Sequence, residues 1–284
     1  MKKKVLVTGA NGQLAKTIKA LSSKNADNIN FTFLGKDELD ITCKEQIASV
    51  FKKNKFQYCI NCAAYTNVEL AESEFEKAFS INAEAVKLLA QVCKTYNVAL
   101  IHISTDYVFD GKKDTPYIET DLPNPINKYG KSKLAGEKYI QEILNQYYII
   151  RTSWLYSKFN KNFVKTIAKL AKEKTELQVI NDQIGSPTNA SDLANCIYRI
   201  IILDNENYGT YHYSNKGETS WYNFAKQIIN NLQLKAKALP VQTEFYPTKA
   251  KRPKYTVLDS SKVEKNLTVK IIGWQQGLKN HIND

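Results

Sequence analysis

Several kinds of segment are missing from this chain of 284 residues, and each absence argues against a class of protein. No apolar run approaches the roughly 18 residues that a helix needs to cross a bilayer. The basic start, Met1 to Lys4, leads into a short strand pattern, and the long apolar stretch of a secretory leader is missing. We therefore expect a cytoplasmic protein with no membrane partner.

Cysteine and histidine are scarce. The five cysteines are an odd, scattered set, which does not form a disulfide framework. Cys59 and Cys62 have the spacing of a ligand or redox pair, but they lie in an apparent strand, Gln57–Ala63, where residues three apart point to opposite faces. No second such pair exists, and histidine occurs three times. We expect buried thiols and no metal site.

The charge balance is basic, at +12, from 40 Lys and Arg residues against 28 Asp and Glu residues. A basic surface suits nucleic acid, but the lysines are spread along the chain and the densest run, Lys249–Lys254, is short. Zinc-finger spacings and aromatic RNA-binding runs are missing. The charge favours small anionic ligands such as nucleotide phosphates, and we expect no nucleic-acid partner.

The chain begins with a pattern that suits a dinucleotide. After a β-branched run, Gly9, Gly12 and Ala15 are spaced as Gly-x-x-Gly-x-x-Ala, and an amphipathic stretch follows. Glycines let the backbone approach a pyrophosphate, and the N-terminus of the following helix offers N–H groups and the positive end of its dipole. A glycine-containing turn before an ordinary helix is the simpler alternative.

Strand and helix patterns then alternate through the first half of the chain. This alternation is typical of a parallel sheet with helices on both faces, so we predict an α/β fold, a Rossmann-type doubly wound parallel sheet. The predicted strands are Lys4–Thr8, Phe31–Leu34, Gln57–Ala63, Ala99–Ser104 and Tyr148–Arg151. The predicted helices are Gln13–Ser22, Lys44–Lys53, Ser73–Tyr96 and Ile126–Asn145.

The second half is less regular, which predicts a division into two lobes. Residues 1–153 would form the NAD(P)-binding Rossmann domain, to which a later segment at about 188–215 returns. Residues 154–187 and 216–284 would form a smaller C-terminal substrate-binding lobe.

Tyr129 and Lys133 are four residues apart in a predicted helix, so their side chains lie on one face. A lysine beside a tyrosine favours the phenolate and lowers a pKa that ordinarily lies near about 10. Such a pair can pass a proton to or from a substrate oxygen near neutral pH. Both residue types are abundant here, so a solvated helix face is the alternative for the pair taken alone.

Two predicted strands end in residues suited to ligands, at the edge where ligands gather in open α/β sheets. Thr105 follows the strand Ala99–Ser104 and can donate a hydrogen bond to a substrate oxygen, while Asp106 can orient a substrate hydroxyl or relay a proton. A turn is the alternative for both. The small residues that close Gln57–Ala63 leave room for a ribose or a pyrophosphate.

Two other polar features are interpreted as structural. His102 lies inside a strand pattern, so we expect a packing residue. The acidic run from Glu69 to Glu76 is interpreted as a solvated helix start that complements the helix dipole.

Three motifs together resemble the extended short-chain dehydrogenase/reductase superfamily: Thr8–Ala15, Ser104–Phe109 and Tyr129-x-x-x-Lys133. From residue 5 to about 278 the chain is similar to the dTDP-4-dehydrorhamnose reductase family. This family implies hydride transfer from NADPH or NADH to the C4 ketone of dTDP-4-dehydro-6-deoxy-L-mannose, which gives dTDP-L-rhamnose. The longer similar stretches are Asn124–Glu137, Arg151–Tyr156, Val179–Thr188 and Arg252-Pro253.

The resemblance also implies a role for each matching residue. Tyr129 would donate the proton, Lys133 would lower its pKa and bind the nicotinamide ribose, and Thr105 would hydrogen-bond the developing alkoxide. Thr105 and Asp106 would contact the sugar, with Trp154 beside the sugar nucleotide and Arg252 on its diphosphate. The cofactor would be held by Gly9, Gly12, Gln13 and Leu14 at the pyrophosphate, Asp40 and Ile41 at the adenine, and Ala63, Ala64, Tyr65 and Thr66 along its middle.

Two positions depart from the family pattern. Ala15 replaces the third glycine, which still permits close packing. After the second strand, Gly35 and Lys36 stand where an acid would bind the ribose 2′-hydroxyl of NAD. We expect NADPH to be accepted at least as well as NADH, because Lys36 favours a 2′-phosphate and no carboxylate would repel it.

Two other functions fit the same fold. A nucleotide-sugar epimerase or dehydratase shares the Tyr–Lys pair but recycles its cofactor, whereas a reductase consumes it stoichiometrically. A non-catalytic dinucleotide-binding regulatory subunit is the other alternative, and the intact Thr105, Tyr129 and Lys133 argue against it. The expected partner is a small nucleotide sugar, and a homodimer is compatible with these features.

Overall fold

The computed structural model describes residues 2–23 and 29–283. Its strands are β1 (Lys3–Thr8), β2 (Ile29–Leu34), β3 (Tyr58–Asn61), β4 (Ala99–Thr105), β5 (Tyr147–Thr152), β6 (Leu155–Tyr156), β7 (Glu176–Ile180), β8 (Ile184–Gly185), β9 (Thr188–Asn189), β10 (Gly209–Tyr213), β11 (Thr219–Ser220) and β12 (Lys237–Val241). Its α-helices are α1 (Gln13–Ser22), α2 (Lys44–Lys53), α3 (Val68–Ala71), α4 (Phe75–Phe79), α5 (Ala85–Tyr96), α6 (Lys128–Ile143), α7 (Phe163–Glu173), α8 (Ala190–Leu203), α9 (Trp221–Asn231), α10 (Ser261–Leu267) and α11 (Trp274–Asn283).

Six strands form a central sheet in the order β10-β5-β4-β3-β1-β2, and every neighbouring pair is parallel. The predicted α/β fold is confirmed. The chain runs from β1 to one side for β2 and then to the other side for β3, so the strand order reverses at β1. Ligands of such sheets bind outside the carboxyl ends of the strands at that reversal.

Alternation along β1 shows how the sheet acquires two buried faces. Val5 and Val7 belong to one apolar cluster and Leu6 belongs to another, because successive strand residues point to opposite faces. Helices α1, α8 and α10 supply the first cluster, and α2, α5 and α6 supply the second. The strands therefore consist of almost continuous apolar residues, as expected for a sheet covered on both sides.

A third apolar cluster is formed by α7, α9, α11 and β7. Phe224, Ile228 and Leu278 lie at its centre with no exposed surface. Helix α8 packs with α1, and β10 extends the central sheet, so residues 190–213 contact the first lobe. We keep the division at residues 153 and 154, with the returning segment at about 188–215, as a proposal.

Some elements differ from the sequence prediction. The predicted helix Ser73–Tyr96 is divided by a π-helical turn, Ser80–Glu84, between α4 and α5. Strand β12 and helix α11 were not predicted. Helix α11 contains glycine and asparagine, which disfavour helices, and it is held by burial of Trp274 and Leu278 in the third cluster.

No helix within residues 2–23 and 29–283 combines the length and the hydrophobicity needed to cross a membrane.

Candidate active site

A cleft of about 710 Å³ lies at the carboxyl ends of the central strands. A smaller pocket of about 250 Å³ shares Gly12, Cys62 and Ala64 with it, so the two form one continuous groove across the reversal of strand order. The larger part brings together the predicted residues Gly12, Gln13, Leu14, Ala64, Thr66, Thr105, Asp106, Tyr129, Lys133 and Trp154. The smaller part brings together Gly9, Asp40, Ile41 and Ala63.

The turn after β1 is shaped by Gly9. Its φ is +63°, and a Cβ at this position would lie 2.6 Å from the backbone nitrogen of Ala63, so a side chain has neither the conformation nor the space. Gly12 is the N-cap of α1, and among the described residues no side chain caps that N-terminus. A helix N-terminus of this kind favours an anion, so the turn fits a dinucleotide pyrophosphate.

The side chain of Gln13 forms hydrogen bonds within the protein. Its Oε1 accepts hydrogen bonds from Ser157 Oγ at 3.1 Å and from Asn162 Nδ2 at 3.0 Å. Asn160 Nδ2 also donates to Asn11 O at 2.8 Å. The side chain therefore fastens the loop after β6 to the turn after β1, and a pyrophosphate contact from the Gln13 backbone stays a prediction.

Two carboxylates, Glu38 and Asp40, lie close to the end of β2. Glu38 folds back so that its carboxylate accepts the Gly35 N–H at 2.9 Å. Lys36 lies 3.9 Å from the Asp40 carboxylate, with its side chain 79% exposed. The backbone N–H of Thr42 is the main cause that lowers the pKa of Asp40. Glu38 and Asp40 therefore lie close to Gly35 and Lys36, and the expectation that a 2′-phosphate there would meet no repelling carboxylate stays a prediction.

The loop after β3 is held by the π-helical turn. Asn82, fully buried, accepts the Tyr65 N–H at 2.9 Å and donates to Tyr65 O and to Ser132 Oγ, both at 3.0 Å. Ala64 and Thr66 line the cleft on either side of this contact, but the Tyr65 hydroxyl donates to Glu74 at 3.1 Å. π-Turns within helices often occur at functional sites, and this one connects the cleft loop to α6.

The end of β4 presents two oxygen atoms that have no hydrogen-bond partner within the described residues, Ser104 Oγ and Asp106 Oδ2. The other carboxylate oxygen, Asp106 Oδ1, accepts from Thr105 Oγ1 at 3.1 Å. Burial raises the pKa of Asp106 to about 6, although the hydrogen bonds oppose this shift. Buried polar atoms without partners are costly, so this corner suits a ligand rich in hydroxyl groups.

Tyr129 lies in the first turn of α6, which begins where Asn127 Oδ1 accepts the Gly130 N–H at 2.7 Å. Burial raises the pKa of Tyr129 to about 12, although a hydrogen bond with Thr105 acts in the opposite direction. The lowering expected from Lys133 is not found: Lys133 is not among the groups that shift this pKa, and its Nζ donates to Ile103 O at 2.7 Å. The phenol is therefore protonated at neutral pH and can donate its proton.

Trp154 has an unusual backbone conformation, with a φ of +46°. Its indole stacks on that of Trp221 with ring centroids 3.5 Å apart and planes at 9°. Gly185 also lies against this ring, since a Cβ there would be 2.7 Å from the indole. The backbone of Trp154 also accepts the Thr188 N–H at 3.2 Å. Contacts from three separate segments therefore hold this aromatic ring at the cleft.

Arg252 lies outside the cleft. Its Nη2 donates to Glu69 Oε1 at 2.7 Å, and it hydrogen-bonds the Tyr107 hydroxyl, which belongs to a residue of the cleft lining. Arg252 lines a separate pocket of about 500 Å³ together with Lys112, Lys251 and Lys254. Glu69 lies in the first turn of α3, as the sequence indicated, with its side chain 36% exposed, but it also pairs with Arg252. A diphosphate contact from Arg252 stays a prediction.

Several residues of the cleft were missed by sequence reasoning. His102 is fully buried, as expected of a packing residue, but its Nε2 also lies 3.2 Å from Nζ of Lys133, which lines the cleft. Thr152, Ser153 and Lys161 line the cleft and were not predicted. Thr152 and Ser153 could have been found, because they end a predicted strand at the same sheet edge as Thr105.

The cysteines have no metal or redox arrangement in the described residues. All five are free, and no cluster of three or more potential metal ligands occurs in residues 2–23 and 29–283. Burial raises the pKa of the Cys62 thiol to about 12, so it is a neutral thiol in the cleft wall.

Known proteins resemble this chain over its whole length. The family model described as the RmlD substrate binding domain matches residues 2–284. A curated dTDP-4-dehydrorhamnose reductase from Aggregatibacter actinomycetemcomitans is 39% identical, covering 98% of this chain and 97% of that protein. The corresponding protein from Escherichia coli strain K12 is 37% identical, covering 99% and 97%.

Solved structures give the same result. The dTDP-4-dehydrorhamnose reductase from Bacillus anthracis, in complex with NADP, is 41% identical with a TM-score of 0.95, covering 100% of this chain and 99% of that one. The Thermus thermophilus UDP-glucose 4-epimerase, in complex with NAD, is 16% identical with a TM-score of 0.84, covering 99% and 98%, and it shows the fold alone. This chain belongs to the dTDP-4-dehydrorhamnose reductase family and is an oxidoreductase with a Rossmann-type fold.

Proposed function

We propose that this chain reduces the C4 ketone of dTDP-4-dehydro-6-deoxy-L-mannose to dTDP-L-rhamnose, with NADPH or NADH as the reductant. One observation carries the proposal: Thr105, Tyr129 and Lys133 share one cleft, and the Gly9 turn borders the pocket that continues it. Family membership supports the same reaction class.

The cofactor would lie along the groove. Gly9 and Gly12 would hold its pyrophosphate against the N-terminus of α1, and Asp40 and Ile41 would border the adenosine end. The bound dinucleotide supplies the hydride, and the protein supplies position, exclusion of water and a proton.

Proton transfer to the substrate is the proposed task of Tyr129. Its raised pKa, about 12, keeps the phenol protonated at neutral pH, so the group acts as a general acid towards the developing C4 alkoxide. The single hydrogen of the Thr105 hydroxyl goes to Asp106 Oδ1 at 3.1 Å in the free protein, and it would turn to the substrate oxygen in the complex. The unpartnered oxygen of Asp106 would accept a sugar hydroxyl, and Trp154 would pack against the sugar nucleotide.

Tyr129→Phe tests this assignment. We expect turnover to fall by about 10²–10⁴-fold, because only the acidic hydroxyl is removed, while the Kd for NADPH changes little. The matched control is Tyr139→Phe in the same helix, whose hydroxyl contacts Glu84 on the surface and should be dispensable. A variant that kept more than a third of the wild-type rate would remove Tyr129 as the acid.

Cofactor stoichiometry separates the reductase from its alternatives. A reductase oxidises one NADPH for each sugar reduced, whereas an epimerase or dehydratase turns over without net consumption, and a regulatory subunit binds without turnover. Absorbance loss of NADPH against a panel of 4-keto nucleotide sugars measures this and defines the sugar and the base. The proposal includes cytoplasmic location and a homodimer, the latter to be checked by sedimentation of the purified protein.

A further inference from the structure

A chain of buried polar side chains leads from the catalytic helix into the sheet. Lys133 Nζ lies 3.2 Å from His102 Nε2, and His102 Nδ1 lies 3.1 Å from Asn61 Nδ2. Asn61 Oδ1 in turn accepts from Thr8 Oγ1 at 2.7 Å. Thr8 and His102 have no exposed surface, and Asn61 and Lys133 are 1% and 2% exposed. The chain connects α6 with β4, β3 and β1.

The backbone fixes the orientation of Asn61. The Ala63 N–H donates to Asn61 Oδ1 at 3.2 Å, and a backbone N–H cannot turn into an acceptor. Because Thr8 donates to the same oxygen, the amide of Asn61 must present its NH₂ group to His102. His102 Nδ1 therefore accepts a hydrogen bond and carries no proton.

This orientation decides which side of the imidazole faces Lys133. Burial lowers the pKa of His102 well below its usual range, so the ring is neutral and carries one proton. With Nδ1 as the acceptor, that proton lies on Nε2 and points towards Lys133 Nζ. An N–H group repels an ammonium, which has only donors, but it donates to the lone pair of an uncharged amine.

We propose that His102 is a positioning residue that shifts Lys133 towards the uncharged amine in the free protein: its Nε2–H donates to the amine, and in mildly alkaline solution Lys133 takes up a proton from solvent when a dinucleotide binds. The second part rests on the proposed function. The uncharged amine has both partners it needs, because it accepts from His102 and donates to Ile103 O.

The surroundings of Lys133 support this assignment. Burial lowers the pKa of Lys133 to about 8, although the charge of Glu137 opposes the shift. On α6, Glu137 is already paired with Arg151 of β5 at 2.7 Å, and Tyr129 is a neutral phenol. Cys62, after β3, is a neutral thiol. Asp106 lines the same cleft as an anion at neutral pH, but it is not among the groups that raise the Lys133 pKa.

Dinucleotide binding would favour the charged form of Lys133. A pyrophosphate brings negative charge to the groove, and a nearby anion stabilises an ammonium. The proton taken up would place the positive charge of Lys133 beside Tyr129 only after the cofactor is present. The lowering of the Tyr129 pKa that the sequence predicted would then belong to the complex, not to the free protein.

The free protein gives the direct test. Protein labelled with ¹³C at the lysine ε-carbon is titrated by NMR, and the Lys133 signal is identified by its loss in Lys133→Met. In His102→Gln the side-chain amide can turn its oxygen towards the ammonium, so we expect the Lys133 midpoint to rise by about one pH unit or more. His212→Gln is the matched control, because His212 is equally buried but lies in β10 and contacts Tyr117 O.

Each outcome decides the proposal. A raised midpoint in His102→Gln with an unchanged midpoint in His212→Gln supports it. Equal midpoints in the wild type and His102→Gln, or equal rises in both variants, overturn it. ¹⁵N NMR of histidine-labelled wild-type protein gives a test that needs no variant: a proton on Nε2 of His102 supports the proposal, and a proton on Nδ1 overturns it.

Calorimetry of NADPH binding in two buffers of different ionisation enthalpy tests the second part. About one unit above the Lys133 midpoint, the wild type should take up close to one proton on binding, and His102→Gln should take up less. Equal uptake in both proteins, or none in the wild type, overturns the linkage. If NADPH fails to bind, the proposed function and the linkage both fail, and the NMR titration still decides the role of His102.

Discussion

Two walls of the cleft are constructed in different ways: the proposed cofactor wall, around Gly9 and Gly12, and the proposed substrate wall, around Asp106 and Trp154. The cofactor wall consists of short loops that each follow a central strand, and its fit depends on backbone, as at Gly9. The substrate wall is assembled from distant segments, and its aromatic surface, Trp154, depends on Trp221 and Gly185. The cofactor wall is therefore encoded locally, whereas the substrate wall exists only after segments far apart in sequence, such as those of Trp154 and Trp221, have packed together.

The two walls also differ in how many features they contain that lower the stability of the folded protein. The substrate side contains a residue with positive φ, Trp154, and a buried carboxylate oxygen without a partner, on Asp106. Such unfavourable features persist where many surrounding contacts hold them in place, and they are common at functional sites. The cofactor side has its positive φ at a glycine, where it costs little.

Gly9→Ala should have the largest effect and would affect the cofactor wall alone. We expect NADPH affinity to fall at least about 100-fold, because the added Cβ would meet the Ala63 backbone at 2.6 Å in a left-handed conformation. Gly12→Ala is the matched comparison, since its Cβ would meet only Gly9 O, at 3.2 Å, and should cost less. Fluorescence titration with NADPH measures both, and equal losses would contradict the steric argument.

Gly185→Ala should damage the substrate wall and spare the cofactor wall. The new Cβ would lie 2.7 Å from the Trp154 indole, so the ring must move, and we expect KM for the sugar nucleotide to rise about tenfold. The Kd for NADPH should stay unchanged. Gly273→Ala, whose Cβ has no neighbour closer than 3.6 Å, is the control. A loss of NADPH affinity in Gly185→Ala would show that the walls are not independent.

Asp106→Asn should stabilise the protein while reducing activity. The pKa of Asp106 rises from 3.8 in the unfolded chain to about 6 in the folded protein. Its ionised form therefore destabilises the folded protein above about pH 6, and this destabilisation is absent below about pH 4, where the group is protonated in both states. At pH 7 we expect a gain of roughly 1–3 kcal/mol, which fades as pH falls below 6 towards 4. Urea unfolding of both proteins at several pH values measures this.

Asp110→Asn is the control for that experiment, because we expect it to change stability in the opposite direction. Burial raises the Asp110 pKa, but hydrogen bonds from Lys112, Asn124 and Tyr117 outweigh it, so the net shift is downward. This carboxylate therefore contributes stability at neutral pH, and its removal should destabilise the protein. A loss of stability in Asp106→Asn would contradict the argument that the buried charge of Asp106 lowers the free energy of unfolding.

Lys36→Ala should have the smallest effect, at the far end of the cofactor wall. Lys36 is largely exposed and Asp40 lies nearby, so screening and the carboxylate weaken any contact with a 2′-phosphate. We expect the ratio of kcat/KM for NADPH over NADH to fall about threefold. Lys52→Ala, on the surface of α2, should leave the ratio unchanged. A wild-type preference of tenfold or more for NADH would show that the end of β2 has been misinterpreted.

The sequence by itself determined the fold class and most of the cofactor wall. Periodicity identified β1 to β5 and their helices, because hydrophobic patterning over a few residues decides strand or helix. The Gly9 turn, the Thr105 strand end and the Tyr129–Lys133 spacing are local features, and parallel strands gather their carboxyl ends at one edge whatever the remaining details.

The tertiary structure alone decided the rest. The Trp154–Trp221 stack joins residues far apart in sequence, and the ion pair of Arg252 with Glu69 joins helix α3 to a C-terminal segment that no periodicity relates to it. The charge environment of Tyr129 also required coordinates, because burial outweighs the neighbour that the spacing suggests. His102 shows the same limit: a histidine in a strand pattern indicates packing, and only the placement of Asn61 and Lys133 gives its two nitrogens different partners. Spacing along a chain fixes which side chains share a face, but the dielectric and hydrogen-bond environment of a group arises from all the segments that surround it.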